Sequence, residues 1–123
     1  MAQWGRSDAA LPGVVAESTF GKRSVILALA ALAAGAIAIT ALIAIPSDAS
    51  PLLQNSATGF FAAVFFVAGP LAHLSGVVFG LMALGRSNDS RVLGLAGIVV
   101  NGASLAAGVF MLWGMASTIG AFT

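Results

Sequence analysis

The chain carries the run GPLAHLSGVVFGLMAL at residues 69–84, which contains no Asp, Glu, Lys or Arg. This run ends a longer uncharged segment at 57–84, and two further uncharged segments lie at 25–45 and 92–113. An α-helix needs about 20 apolar residues to cross the hydrocarbon of a bilayer, and each segment is long enough. None of them alternates in polarity as the strands of a membrane barrel do. We therefore expect an all-α membrane protein with three transmembrane helices.

The composition excludes most other classes of protein. Of 123 residues, 59% are hydrophobic and 7% are charged, and the mean hydropathy is +1.04. A soluble domain is about 25% charged, so an ordinary soluble enzyme, a disordered chain and a coiled coil are excluded. The chain has no cysteine, which excludes disulfides and thiolate metal sites. The net charge of +1 is too small for a nucleic-acid-binding surface.

Residues at the ends of the three segments are typical of helix starts and of a short turn. Ser24 is expected to cap the first helix, Ser50 with the proline after it to begin the second, and one of residues 88–90 to cap the third. Because only residues 85–91 join the second and third helices, we expect these two to form a tight antiparallel hairpin. The sequence thus divides into an N-terminal arm at 1–23 and a three-helix transmembrane domain at 24–123.

The five basic residues all fall on one side of this arrangement. Arg6, Lys22 and Arg23 precede the first span, and Arg86 and Arg91 lie in the turn between the second and third. The other loop and the C-terminal tail have none. Basic residues stay on the cytoplasmic side of a membrane, so we expect a cytoplasmic N-terminus and a C-terminus on the outer, periplasmic side. The first apolar segment is longer than the core of a signal peptide, and we expect it to remain as an anchor.

His73 is the only ionisable side chain inside a predicted span, which makes it the first candidate for a functional site. Folding the hairpin at its turn brings His73 level with Asn101 and Ser104. One interpretation is a hydrogen bond between the imidazole and either side chain, which sets the register of the two helices. The other is that His73 is an axial ligand of a metal centre, such as the magnesium of a chlorophyll-type pigment.

Small residues at helical spacing predict faces where helices approach closely. The residues expected at such faces are Ala31, Gly35, Gly69, Gly76, Gly80, Gly97, Asn101, Ser104 and Gly108. Gly69 would also leave room beside His73 for a flat macrocycle. Pro70 cannot donate a backbone hydrogen bond and predicts a kink inside the second span. The kink is interpreted either as a static bend or as a hinge or broken-helix ion site.

No arrangement of side chains predicts catalysis. The one histidine lies in the middle of a span, so no base is available to a nucleophilic serine. Asp48 and Asp89 fall on opposite faces of the membrane, so they cannot act as a carboxylate pair. We expect no enzyme activity and no soluble substrate.

A resemblance to a known family covers residues 69–123. The residues that carry it are the run PLAHLSGVVFGLMAL at 70–84, the short basic loop after it and the run GLAGIVVNG at 94–102. This pattern resembles the small bacterial membrane proteins that are grouped as domain of unknown function 4190. The resemblance implies a bacterial inner membrane and no known catalytic residues, and it transfers no mechanism.

These features favour three functions. The first is a non-enzymatic accessory or structural subunit of a larger bacterial membrane complex, such as a respiratory or photosynthetic one, which stabilises the assembly by close helix packing. The second is a subunit that contacts a pigment or cofactor through His73. The third is a small homo-oligomeric channel, which the lack of a continuous polar stripe in any span disfavours. The expected partners are other membrane subunits and lipids. No cofactor is expected for the first function, and a chlorophyll-type pigment or a lipid are the ligands that the alternatives allow.

Overall fold

The structure, a computed structural model, describes residues 18–120 and is helical without strands over that range. The helices are α1 at Phe20–Ala44, α2 at Pro51–Ala63, α3 at Gly69–Leu84 and α4 at Arg91–Gly120. A π-helical turn, Val64–Ala68, joins α2 to α3 without a break. We call this segment the π turn.

Three helical segments are long and apolar enough to cross a membrane. They are Phe20–Ala44, Pro51–Leu84 and Arg91–Thr118. This agrees with the number of spans that the sequence predicts, although each helix extends beyond its uncharged segment. Most of the predicted N-terminal arm at 1–23, including Arg6, lies outside the described residues.

Two serines cap helices where the sequence predicts a helix start. The hydroxyl of Ser50 accepts the backbone N–H of Leu53 at 3.4 Å, with a proline at the first helical position of α2. The hydroxyl of Ser90 accepts the N–H of Leu93 at 3.3 Å at the start of α4. Each cap satisfies one of the backbone donors that a helix N-terminus leaves unpaired.

The interior of the bundle is built from small and polar residues. The buried residues are Gly21, Ser24, Ala28, Ala31, Ala38, Ala57, His73, Gly76, Gly80, Ala83, Gly94, Gly97 and Asn101. Among the described side chains no Leu, Ile, Val, Phe or Met is buried, and Ile43 and Phe110 are 77% and 78% exposed. A soluble protein instead buries its large apolar side chains and leaves most polar ones exposed. Small side chains at the contacts let helix backbones approach one another closely.

The π turn is followed by Gly69 and Pro70 at the start of α3. The N–H of Gly69 donates to the carbonyl of Val64, five residues back, and Pro70 has no N–H to donate to the carbonyl of Phe66. The wider turn gives the proline ring room inside a continuous helix. A Cβ on Gly69 would lie 2.9 Å from the Val64 carbonyl oxygen. The only atoms within 4 Å of that Cβ belong to Val64, so Gly69 contacts its own helix and is not a packing position against a second helix.

The N-terminus of α1 is capped by a side chain from the loop between α3 and α4. The helix begins at Phe20, so Ser24 lies inside it and the prediction that Ser24 caps α1 is wrong. The Asp89 carboxylate instead accepts the backbone N–H groups of Phe20 at 2.9 Å and of Gly21 at 3.2 Å, together with the hydroxyl of Ser18. A carboxylate here satisfies unpaired amides and faces the positive end of the helix dipole. Asp89 thus fixes the start of α1 against the α3–α4 loop.

These hydrogen bonds change the acidity of Asp89. The Ser18 hydroxyl, and to a smaller extent the amides of Gly21, Ser90 and Phe20, hold the pKa of the carboxyl below its ordinary value, while its desolvation acts in the opposite direction. Because the pKa is lower in the folded state, the carboxylate stabilises the fold at pH values above its unfolded pKa of about 3.9. This stabilisation is lost as the pH falls through the folded value.

We expect Asp89→Ala to lower the thermal unfolding temperature of the detergent-solubilised protein at pH 7, because α1 loses its cap. The difference from the wild type should begin to shrink as the pH falls below about 3.9, where the unfolded chain binds the proton, and should be lost as the pH falls through the lower pKa of the folded carboxyl. Far-UV circular dichroism measures the unfolding temperature of both proteins at each pH. Asp48→Ala, in the exposed loop between α1 and α2, removes the same charge and should leave the unfolding temperature unchanged. A difference that is independent of pH would contradict the role given to the ionised carboxylate.

Candidate functional site

A buried polar cluster lies where α1, α3 and α4 meet, and each helix contributes one of its side chains. We define the polar cluster as Ser24, His73 and Asn101. Ser24 and Asn101 are fully buried, and His73 is 8% exposed. Since the cluster holds the single histidine of the chain, it is the candidate functional site.

Asn101 makes the central contacts of the polar cluster. Its Nδ2 donates to the carbonyl of Ser24 at 3.0 Å and to the carbonyl of Gly97 at 2.7 Å, and its Oδ1 lies 2.8 Å from Nδ1 of His73. The hydroxyl of Ser24 donates to the carbonyl of Gly76 at 2.6 Å. One side-chain amide therefore joins α4 to both of its neighbours, and α1 is tied directly to α3 beside it.

These contacts determine the tautomer of His73. Nδ2 of Asn101 faces two carbonyl oxygens, so the atom of the amide that faces His73 is its oxygen. An amide oxygen can only accept, so Nδ1 of His73 carries a proton and donates it. In a neutral imidazole Nε2 then holds the free lone pair.

The polar cluster does not bring a nucleophile and a base together. The Ser24 hydroxyl donates to a backbone carbonyl, and the Nδ1 proton of His73 is directed at Asn101. Within residues 18–120, no group of three or more His, Cys, Asp or Glu side chains could hold a metal ion. The chemistry open to the cluster is the Nε2 lone pair, which can accept a hydrogen bond or occupy one coordination position of a metal.

Glycines make room for the polar cluster. A Cβ on Gly76 would overlap the side-chain amide of Asn101, with Oδ1 only 2.6 Å away, and a Cβ on Gly97 would overlap the side chain of Ser24. A Cβ on Gly80 would lie 2.8 Å from a backbone oxygen of α4. At all three predicted packing positions the helices are therefore too close for any side chain larger than hydrogen.

The remaining predicted packing positions divide into two groups. Ala31 is buried, and a Cβ on Gly35 would lie 3.8 Å from a phenylalanine ring of the π turn. Ser104 donates to a carbonyl of its own helix, so Asn101 and not Ser104 is the partner of His73. Gly108 has no atom within 4 Å of an added Cβ. The predicted face of α4 thus meets its neighbours at Gly97 and Asn101 but not further along.

Ser24 of the polar cluster and Gly94 beside it are not predicted from the sequence as packing residues. Ser24 continues the helical spacing of Ala28 and Ala31, a signal that places it on the small-residue face and not at the helix start. Gly94 precedes Gly97 by three positions and was not included in the face of α4. A Cβ on Gly94 would lie 3.0 Å from both the Gly80 carbonyl oxygen and the Ala83 Cβ.

We expect Gly76→Ala to destabilise the protein by about 1–3 kcal/mol, the usual effect of overpacking, because the amide that it would displace is held by three hydrogen bonds. An SDS titration followed by far-UV circular dichroism measures the change. Gly102→Ala is the matched control: it also lies in a helix but has nothing within 4 Å of an added Cβ. It should leave stability unchanged or raise it by up to about 1 kcal/mol. Equal effects of the two substitutions would contradict the close contact at Gly76.

Comparison with known protein families, with curated proteins and with solved structures finds no match to this chain. The resemblance of residues 69–123 to domain of unknown function 4190 therefore stays a prediction.

Proposed function

We propose that this protein is a three-span membrane protein that acts as a non-enzymatic accessory subunit of a larger membrane complex. In this proposal the first half of α4 holds the protein together, and the second half packs against a helix of another subunit. The observation that carries it is the exposure of every described side chain of α4 from Ala106 to Thr118.

Insertion into a membrane is supported by the inverted distribution of side chains. The bundle buries Ala, Gly and three polar residues, whereas none of its described Leu, Ile, Val and Phe side chains is buried and most of them are exposed. In water such a surface would cost about 25 cal/mol for each Å² of apolar area left exposed. Acyl chains remove that cost, whereas the hydrogen bonds of the polar cluster persist in lipid. We propose the bacterial inner membrane, in line with the resemblance of residues 69–123.

We further propose that α3 and α4 form the antiparallel hairpin and that the N-terminus is cytoplasmic. Close approaches near the loop, between Gly80 and Gly94, and further from it, between Gly76 and Asn101, support the hairpin. The start of α1 contacts the loop between α3 and α4 through Asp89. The basic residues of α1 and of this loop therefore lie at one end of the bundle. The rule that basic residues stay inside then supports a cytoplasmic location for this end.

The second half of α4 lacks a neighbour within the described chain. No Cα atom of α2 lies within 8 Å of one in α4, and a shallow groove on α4 is lined by Phe110, Met111, Gly114, Met115 and Thr118. A Cβ on Gly108 or on Gly114 would meet nothing within 4 Å. Glycine destabilises a helix by about 1 kcal/mol relative to alanine, and these glycines have no internal contact that would require them. A partner helix that approaches α4 closely would explain why glycine stands at positions 108 and 114.

We expect Gly108→Leu and Gly114→Leu to release the protein from its complex, because a leucine at either position would hold the partner backbone away. Blue-native electrophoresis of solubilised membranes, with mass spectrometry of the band, measures the complex and its subunits. Gly59→Leu is the control, since Gly59 is exposed in α2 and also has nothing within 4 Å of a Cβ. Its band should match the wild type. A wild-type protein that migrates as a monomer would contradict the subunit role. If both α4 variants remained in the complex, the second half of α4 would not be the contact surface.

The second candidate function, ligation of a metal-containing pigment or haem by His73, is favoured by one observation. The hydrogen bond to Asn101 places the imidazole proton on Nδ1 and leaves Nε2 as the basic nitrogen, which is the arrangement that orients a ligating histidine. The same bond equally serves the first function as a packing contact. The two functions therefore differ in what occupies Nε2.

His73→Gln separates these functions, because glutamine keeps a donor for Asn101 but cannot replace an axial imidazole. If His73 only packs, the bond at stake is worth about 0.6 kcal/mol and the absorbance spectrum of the purified complex should be unchanged. If His73 is a ligand, a defined pigment or haem band should shift or disappear. We expect the unchanged spectrum. A lost band with the subunit composition intact would establish the second function instead.

A further inference from the structure

Two arginines from different parts of the chain lie over one aromatic ring at the end of the bundle where α1 begins. The guanidinium carbon of Arg86 is 4.5 Å from the ring centroid of Phe20, and that of Arg23 is 5.8 Å from it. Phe20 itself stacks on Phe79 of α3, with their centroids 5.8 Å apart. Arg23 lies in the first turns of α1, whereas Arg86 follows the end of α3. We call Arg23 and Arg86 the arginine pair.

The arginine pair has no carboxylate partner among residues 18–120. The acidic side chain at this end, Asp89, uses both oxygens on Ser18, on the amides of Phe20 and Gly21 and on its neighbour in the loop. Both arginines are exposed. Attraction to the ring holds each guanidinium in place, but it does not neutralise the charge. Two cations held near one ring repel each other, and an anion in contact with both would relieve that repulsion.

We propose that the arginine pair binds the phosphate of an anionic phospholipid headgroup. The proposal rests on the proposed membrane insertion, which places this end of α1 and α3 at the level of the headgroups. A guanidinium presents parallel N–H donors that match phosphate oxygens, which an ammonium does not. The rings of Phe20 and Phe79 give the upper part of an acyl chain an apolar surface directly beside the charges. Arg91 lies at the same end, and its charge, added to that of the arginine pair, favours a headgroup with net negative charge over a zwitterionic one.

The test uses the full chain purified in detergent and titrated separately with phosphatidylglycerol, with phosphatidylcholine and with inorganic phosphate. Native mass spectrometry measures the bound fraction. Each basic residue near an anionic lipid contributes roughly fivefold in affinity, so Arg23→Gln with Arg86→Gln should weaken phosphatidylglycerol binding by at least about tenfold. Arg86→Lys should weaken it as well, because the charge is kept but the paired donors are lost. The matched control is Arg91→Gln, which removes one exposed charge at the same end but not over Phe20, and it should weaken binding by no more than about fivefold, the contribution of a single charge.

Three results would overturn the proposal. An equal loss with Arg91→Gln would mean that only the summed charge of this end matters. Binding of inorganic phosphate as tight as that of the lipid would make the site one for a soluble anion, and unchanged lipid binding by the double variant would remove the site altogether. Far-UV circular dichroism confirms that the variants are folded. Alkaline carbonate extraction of cell membranes tests insertion separately: release of the wild type would contradict the proposed function, whereas retention with any of the three results above would contradict the lipid site alone.

Discussion

The hydrogen bonds of the Asn101 side-chain amide determine how close the three helices must lie. An asparagine side chain reaches only a short distance from its helix, and here it bonds at 2.7–3.0 Å to a backbone carbonyl of α1 and to its own helix, and at 2.8 Å to an imidazole of α3. Both neighbouring helices must therefore approach α4 almost to backbone contact. Glycine at positions 76 and 97 follows from this requirement, because a methyl group at either would overlap the polar cluster.

The same requirement explains why no large apolar side chain among the described residues is buried. Between helices in lipid the hydrophobic effect gives little net attraction, since acyl chains are as apolar as leucine. Close packing and hydrogen bonds have to provide the stability, and both improve as the backbones approach. Ala28, Ala38 and Ala83 fill the interface at that distance, whereas the larger apolar side chains are exposed or only half-buried. A buried leucine would separate the helices and break the contacts of Asn101.

The sequence was sufficient to predict the three long apolar helices and to place His73 level with Asn101 and Ser104, but not to choose between these two partners. Length and lack of charge mark the spans, and the short loop brings residues 73 and 101 to the same level. The errors have a common physical cause, which is contact across long sequence separations. The cap of α1 comes from Asp89, nearly seventy residues later, so a rule that reads only neighbouring residues assigned Ser24 instead. Small-residue spacing likewise cannot tell a glycine that meets another helix, such as Gly76, from one that serves its own π turn, such as Gly69.

The π turn keeps one face of a 34-residue helix directed at the rest of the bundle. An α-helix completes five turns in about 18 residues, so Ala57 and Gly76, nineteen positions apart, would point roughly 100° away from each other in an uninterrupted α-helix. A π turn holds one residue more than an α turn, and that extra residue brings both onto the same face, where both are buried. Pro70 and Gly69 are the residues that favour this insertion, because one lacks an N–H and the other lacks a Cβ. The proline therefore corrects the phase of the helix, which allows α2 to stay in contact with α1 while α3 packs against α1 and α4.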